Sequence, residues 1–375
     1  MSVKTPLPGH ILIPVANPGT AEELIRLGAA MLDPRAGELS ALGIVEVPEG
    51  MPLSEGATRA RHARRLLQKV LDYAPSGTTI HPIVRIGRHA AEGIVEACAE
   101  QEADLIIFGW GGKTPVGANG RPGGPTVFSP TIDEVVRDSP ADIAVVKQRG
   151  ARQIRRVLVP VRGGPHAELA LRFADAIATH HGGTVVVLHL VPPGITMAVR
   201  AQAERALAAF VKQHVKGKGE AVLREAPNVR NAILREADKA DLVVMGASAI
   251  PGSDAADAYL FGALPEAIAA RAKSSVVVVK TREPIGRTTF DTLAARAESL
   301  AAADRAAEEA RAVPVRVERW FGESNFHHGE FSDLRRLVQL KEKQGVTVSL
   351  VLPTLNEEDT IGPIVRRAMR EMVGR

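Results

Sequence analysis

The chain has little aromatic content, a single cysteine, no long apolar run and almost no excess of charge of one sign. Each shortage removes a class of function. One cysteine, Cys98, in 375 residues excludes an internal disulfide or a thiolate metal cluster built within the chain. Set in AAEGIVEACAEQ at helical spacing from Ile94, it reads as a small buried hydrophobe. Aromatics make up 3% of the residues, leaving little on which nucleic-acid bases could stack. The net charge of +4 is the difference between 47 basic and 43 acidic residues. A basic run from Arg59 to Lys69 is either a phosphate-backbone footprint or a solvated helix face, and on this balance nucleic acid is not expected as a partner. No apolar stretch approaches the roughly 18 residues of a membrane helix, so no membrane partner is expected. The start, MSVKTPLPGH, places two prolines where a secretory leader would need an apolar run, and a cytoplasmic protein is expected.

What is present is a duplication. ILIPV at 11–15 returns as VLVPV at 157–161, ADLIIFG at 103–109 as ADLVVMG at 240–246, and DIAVVK at 142–147 as SVVVVK at 275–280. Three anchors in the same order define two copies, expected to span residues 1–150 and 151–282. Within each, short Val/Ile/Leu runs alternate with stretches of helical period, the pattern of βαβ units about a parallel sheet. In copy two the pattern predicts helices at His166–His180, Met197–Val215, Val229–Lys239 and Leu264–Arg271, with a weak strand at Glu220–Glu225. Runs such as VVVV, apolar on both faces, require helices on both sides of the sheet. Two copies are also expected to pair about a two-fold through their last strands, as an internal pseudo-dimer, with homo-oligomerisation open.

An opening strand ILVPV-like, a fourth strand ending DLIIFG or DLVVMG, a glycine-bearing loop, a helix and a short last strand ending in Lys together resemble the universal stress protein family. The resemblance covers about three quarters of the chain. It implies an α/β fold: two doubly wound, five-stranded parallel sheets in tandem, Rossmann-like and similar to the adenine nucleotide alpha hydrolases. It also implies a nucleotide crevice at the loops after strands one and four. Nucleotide binders of the family carry an Asp after strand one for the base, then G-x-x-G, nine residues and G-Ser or G-Thr for the phosphates.

Copy one has Ala16 where that Asp would stand. Its candidate nucleotide residues are Pro14, Val15, Gly109, Gly111, Gly112 and Ser129. Sixteen residues separate Gly112 from Ser129, a spacer that is either functional or a surface insertion. Copy two has Arg162 at the Asp position and Ala249 at the second loop glycine. Its candidates are Val161, Arg162, Gly163, Gly164, Gly246 and Gly262, forming either an anion site or only a turn and helix cap. ATP is the ligand implied, and its binding is expected to be weak or absent, favouring copy one. No nucleophile, base and orienter combination falls near these loops, so no catalytic residue is expected.

Residues 283–345 are expected as a helical linker, Ala-rich at 291–312 and helical again from about Ser332 to Gln344. The run VSLVLPTLNEEDTIG, with FHHGEFSDLRRLVQLKEKQG before it, resembles the start of family 2 GT-A glycosyltransferases of the glucosyl-3-phosphoglycerate synthase type. That resemblance implies a first β-α unit at 346–375, with Pro353, Leu355 and Glu357 as nucleotide-sugar contacts. No Asp-x-Asp metal motif follows residue 346, so this unit is expected to be inert. His327 and His328, adjacent rather than one turn apart, favour packing or a substrate loop over a metal pair.

Overall fold

In the computed structural model, the residues described are 7–110, 129–150, 153–162, 165–248, 260–282, 313–345, 347, 362–367 and 370. Copy one comprises β1 (His10–Pro14), a 3-10 turn (Pro18–Thr20), α1 (Ala21–Met31), β2 (Glu38–Glu46), a second 3-10 turn (Leu53–Gly56) and α2 (Ala57–Val70). It continues with β3 (Thr79–Gly87), α3 (Ala90–Glu100), β4 (Leu105–Gly109), α4 (Pro130–Asp138) and β5 (Asp142–Lys147). Copy two repeats the order with β6 (Arg156–Pro160), α5 (Pro165–His181), β7 (Thr184–Val191), α6 (Met197–His214) and β8 (Lys218–Glu225). It ends with α7 (Val229–Ala237), β9 (Leu242–Gly246), α8 (Ala263–Arg271) and β10 (Ser275–Lys280).

The strands join in one ten-stranded sheet of order β3-β2-β1-β4-β5-β10-β9-β6-β7-β8. Each half is parallel, as the buried Val/Ile-rich runs require. The exception is the junction, where β5 and β10 pair antiparallel with Val145 opposite Val278. Alternation along each strand feeds two cores, one per sheet face. Ile11, Ile13, Val277 and Val279 pack under α1, α2, α5 and α6, whereas Leu12, Val276 and Val278 pack under α3, α4, α7 and α8. Both cores run through both copies, so the repeats share their interior.

Polar contacts at the junction are asymmetric. The buried Glu23 of α1 receives a 2.5 Å hydrogen bond from Ser275 Oγ and a 3.1 Å bond from the Gly150 amide. Leu169 occupies the equivalent position of copy two.

The segment expected as a linker divides. Residues 283–312 lie outside the described ones. Residues 313–345 form α9 (Val313–Glu323) and α10 (Leu334–Gln344), and they are docked on copy one instead of standing free. β3 is one of the two outer strands of the sheet, and an outer strand carries unpaired backbone groups. Glu323 Oε1 accepts from the Ile86 amide at 3.0 Å, and Gln344 donates to the Ile80 carbonyl at 3.4 Å. His327 has a local role, its Nδ1 accepting from the Gly329 amide at 3.1 Å in a helix cap. Pro353, Leu355 and Glu357 lie outside the described residues.

Candidate functional site

In a parallel doubly wound sheet, neighbouring crossovers diverge at the switch point, leaving a crevice beyond the carboxyl ends of the strands. Here β1 lies between β2 and β4, and the crevice opens above Pro14 and Gly109. In copy one it is a cleft of about 660 Å³. Its floor is Pro14, Val15, Phe108 and Gly109, its far wall Trp110, Ser129 and Ile132, and its near wall the α2 residues Arg59, His62, Ala63, Leu66 and Leu67.

Local chemistry holds the walls apart. The Val15 amide bonds to the Leu42 carbonyl at 2.8 Å, extending the ladder one residue past β1. Asn17 Oδ1 then accepts from the Gly19 amide at 2.9 Å, and the Thr20 amide and hydroxyl both bond to the Asn17 carbonyl. This Asx-turn arrangement winds the 3-10 turn ahead of α1. Gln148 reaches across to the Thr20 carbonyl at 2.6 Å. Among the described residues, a Cβ built on Gly109 would meet nothing nearer than Leu24 Cδ1 at 3.6 Å, so these residues leave the strand end open.

Of the candidates in copy one, Pro14, Val15, Gly109 and Ser129 come together in this cleft; Gly111 and Gly112 lie outside the described residues. The Ser129 Oγ also caps α4, accepting from the Ile132 amide at 3.4 Å. Sequence reasoning missed Asn17, Gln148, Arg59 and His62 as lining residues. Arg59 and His62 belong to the basic run Arg59–Lys69, but only the position of α2 over the crevice gives these two side chains a direction. Exposed Arg59 and His62 face a rim that also holds Glu46, whose Oε1 accepts from the Ala90 amide at 2.8 Å. Lys147 Nζ lies 5.8 Å from the Trp110 ring centroid, and burial, then Arg149, lowers its pKa.

Copy two begins in the same way, with the Val161 amide on the Leu188 carbonyl at 2.9 Å. There the likeness stops. α5 is already helical at Pro165, and His166, which aligns with Thr20, lies over the end of β9. A Cβ on Gly246 would stand 2.6 Å from both the carbonyl carbon and oxygen of His166. Gly246 is therefore a seat for a helix backbone. His166 is buried, and its Nδ1 accepts from the Thr281 amide at 3.1 Å. Burial, followed by the charge of Lys280, pushes its pKa down to about 4. Gly262 takes φ +100° ahead of α8, a backbone region that favours glycine. Beside it, buried Glu266 accepts from the Phe261 amide at 3.0 Å, and burial pushes its carboxyl up to about 7. Arg162 is exposed, and Gly163 and Gly164 lie outside the described residues.

Cys98 is buried, and burial pushes its thiol up to about 12, which keeps it protonated and unreactive. Among the described residues no helix is long and apolar enough to cross a membrane.

A family model described as "Universal stress protein family" matches residues 9–147 and again 153–280. Among curated proteins, a Na(+)/H(+) antiporter from Synechocystis sp. is 29% identical over 204 residues, covering 52% of this chain and 28% of the relative. A glucosyl-3-phosphoglycerate synthase from Petrotoga mobilis is 58% identical over 38 residues, 10% of this chain and 12% of the relative. The chain thus spans less than a third of either. Among solved structures, a universal stress protein from Archaeoglobus fulgidus superposes with a TM-score of 0.52 at 18% identity. It covers 72% of this chain, and 97% of that protein is matched.

Proposed function

The chain belongs to the universal stress protein family through both of its repeats, and from that premise we propose that it is a non-catalytic ligand-sensing module. In this reading copy one holds the working site and copy two is mainly structural. The observation that carries it is the contrast at one aligned glycine. Gly109 opens on a cleft of about 660 Å³, whereas the space above Gly246 is taken by the His166 backbone.

The ligand that suits the cleft is a small anion with an apolar part, because Arg59 and His62 stand at the rim while Val15, Leu42 and Ile44 line the interior. ATP is the probe to try first. With Ala16 in place of a base-holding carboxylate, its binding should be weak and poorly selective. Loss of one charged hydrogen bond costs on the order of 1.5 to 3 kcal/mol. We read the two repeats as an internal pseudo-dimer, supported by the antiparallel β5–β10 pairing. The antiporter relative is far longer than this chain, which supports a regulatory role beside other domains or proteins. The 38-residue likeness to a synthase brings no Asp-x-Asp motif, and we assign residues 346–375 no catalytic step.

Trp110 lines the cleft and Trp320 is distant in sequence on α9. In a Trp320→Phe background, ATP should therefore change Trp110 emission saturably. An emission unmoved up to millimolar ATP, AMP and inorganic phosphate would count against the reading.

A further inference from the structure

The helix α2 has two occupied sides. One gives Arg59, His62, Ala63, Leu66 and Leu67 to the cleft. The other is gripped by residues 313–345 at three levels. Ahead of the helix, the Leu53 amide donates to Glu318 Oε2 at 3.2 Å. At mid-helix, Arg64 donates through Nη1 to the Glu323 carbonyl at 2.6 Å, through Nη2 to the Asn325 carbonyl and through Nε to Glu330 at 3.3 Å. The Phe326 ring lies 4.3 Å below its guanidinium. Past the helix end, Arg336 pairs with Asp72 at 2.8 Å and Lys343 donates to the Asp72 carbonyl at 2.9 Å.

These contacts are mostly charged or polar. Arg319–Glu96 at 2.8 Å and Arg85–Glu323 at 3.8 Å continue the pattern, while Val317, Trp320, Phe321 and Phe331 remain exposed. The mid-helix pairs Arg64–Glu330 and Arg319–Glu96 are largely buried, so salt screens them little and the arm's hold is lost by removing a partner and not by ionic strength. Leu340 adds a partly buried apolar contact to the core beneath, whose strands and helices belong to the two repeats themselves. On its cleft side α2 has little slack, because a Cβ on Gly43 of β2 would come within 3.2 Å of Leu67 Cδ1. A shift of α2 on one side is therefore felt on the other.

We propose that residues 313–345 form a detachable arm whose docking on α2 is coupled to occupancy of the copy-one cleft. The coupling rests on the cleft being a ligand site. It runs both ways: a ligand that favours one position of α2 changes the arm's hold, and release of the arm changes affinity for the ligand by the same factor.

Gly322 gives a means of release outside both α2 and the cleft, since a Cβ there would lie 2.5 Å from Ile86 Cδ1. Hydrogen exchange of the full chain and of Gly322→Leu should show faster exchange across 313–345. It should also show a several-fold change at 15–20 and 42–46, outside the arm contacts named above, with 161–166 and 188–191 unchanged. Should Ile86 give way and leave the arm protected, Arg64→Ala removes its anchor and is read in the same way. Faster exchange confined to the arm and its direct contacts overturns the coupling. So does an arm already unprotected in the parent chain. Where ATP binds, its affinity should differ by about fivefold or more between parent and released chain, and equal affinities overturn the proposal. If neither chain binds ATP, AMP or inorganic phosphate, the ligand reading fails and with it the link to occupancy; the exchange pattern then decides whether the arm is coupled to the cleft walls.

Discussion

The two repeats reach the same strand order from aligned sequences, yet one leaves its crevice open and the other closes it. The difference lies at the start of one helix. In copy one, Asn17 and Gly19 wind a 3-10 turn that delays α1 until Ala21. In copy two, α5 begins at Pro165 and lays His166 across Gly246. The same glycine is thus an opening in one copy and a packing contact in the other. A duplicated fold preserves its sheet because the whole core depends on it, while a crevice can be filled by a single helical turn.

Substitution at those glycines should separate the two repeats most. Gly246→Val should destabilise the chain by about 3 kcal/mol, because the clash is with backbone that cannot rotate away; denaturant titration measures it. A loss no greater than at Gly109 would mean that copy two is as open as copy one. Next comes the junction, where Glu23→Ala takes the acceptor from the Ser275 hydroxyl, which still accepts from the Arg149 amide, and from the Gly150 amide, and should cost about 1 to 2 kcal/mol.

A pH series separates two opposed contributions in copy two. His166 stays neutral in the fold down to about 4, against 6.5 when unfolded. Protons therefore favour unfolding as pH falls from 6.5 towards 4, and this contribution is lost to acid. Glu266 stays protonated up to about 7, against 4.5 when unfolded, so its contribution is lost as pH rises from 4.5 to 7. The slopes oppose each other between pH 4.5 and 6.5. His166→Asn, keeping an acceptor for the Thr281 amide, should reveal stability falling with rising pH, and Glu266→Gln stability falling towards acid. Unchanged profiles in both variants would show that neither group titrates as its burial demands. The smallest effect belongs to Gly109→Ala, under about 1 kcal/mol, because its Cβ has room.

The sheet was legible from sequence because apolar runs report burial on both faces. The last strands, 142–147 and 275–280, fall where DIAVVK and SVVVVK place them, and α5 extends one residue beyond each end of its expected span. The site was legible only in part. Pro14, Val15, Gly109 and Ser129 do line one cleft, but Gly246, matched to Gly109 by the repeat, does different work because of His166, eighty residues earlier. Nor does local pattern tell which arginines of α2 face the cleft and which hold the chain's later segment. Residues 313–345 read as a linker because the partners that dock them, Arg64, Ile86 and Glu96, are remote in sequence and are met largely through charged and polar groups.

Whether one repeat binds and the other does not is decided by calorimetric titration of the full chain with ATP, repeated on Gly109→Val. Weak binding at a single site per chain is expected, abolished by a side chain projecting from Gly109 into the cleft. Two equivalents bound per chain, or binding that survives Gly109→Val, would contradict that expectation.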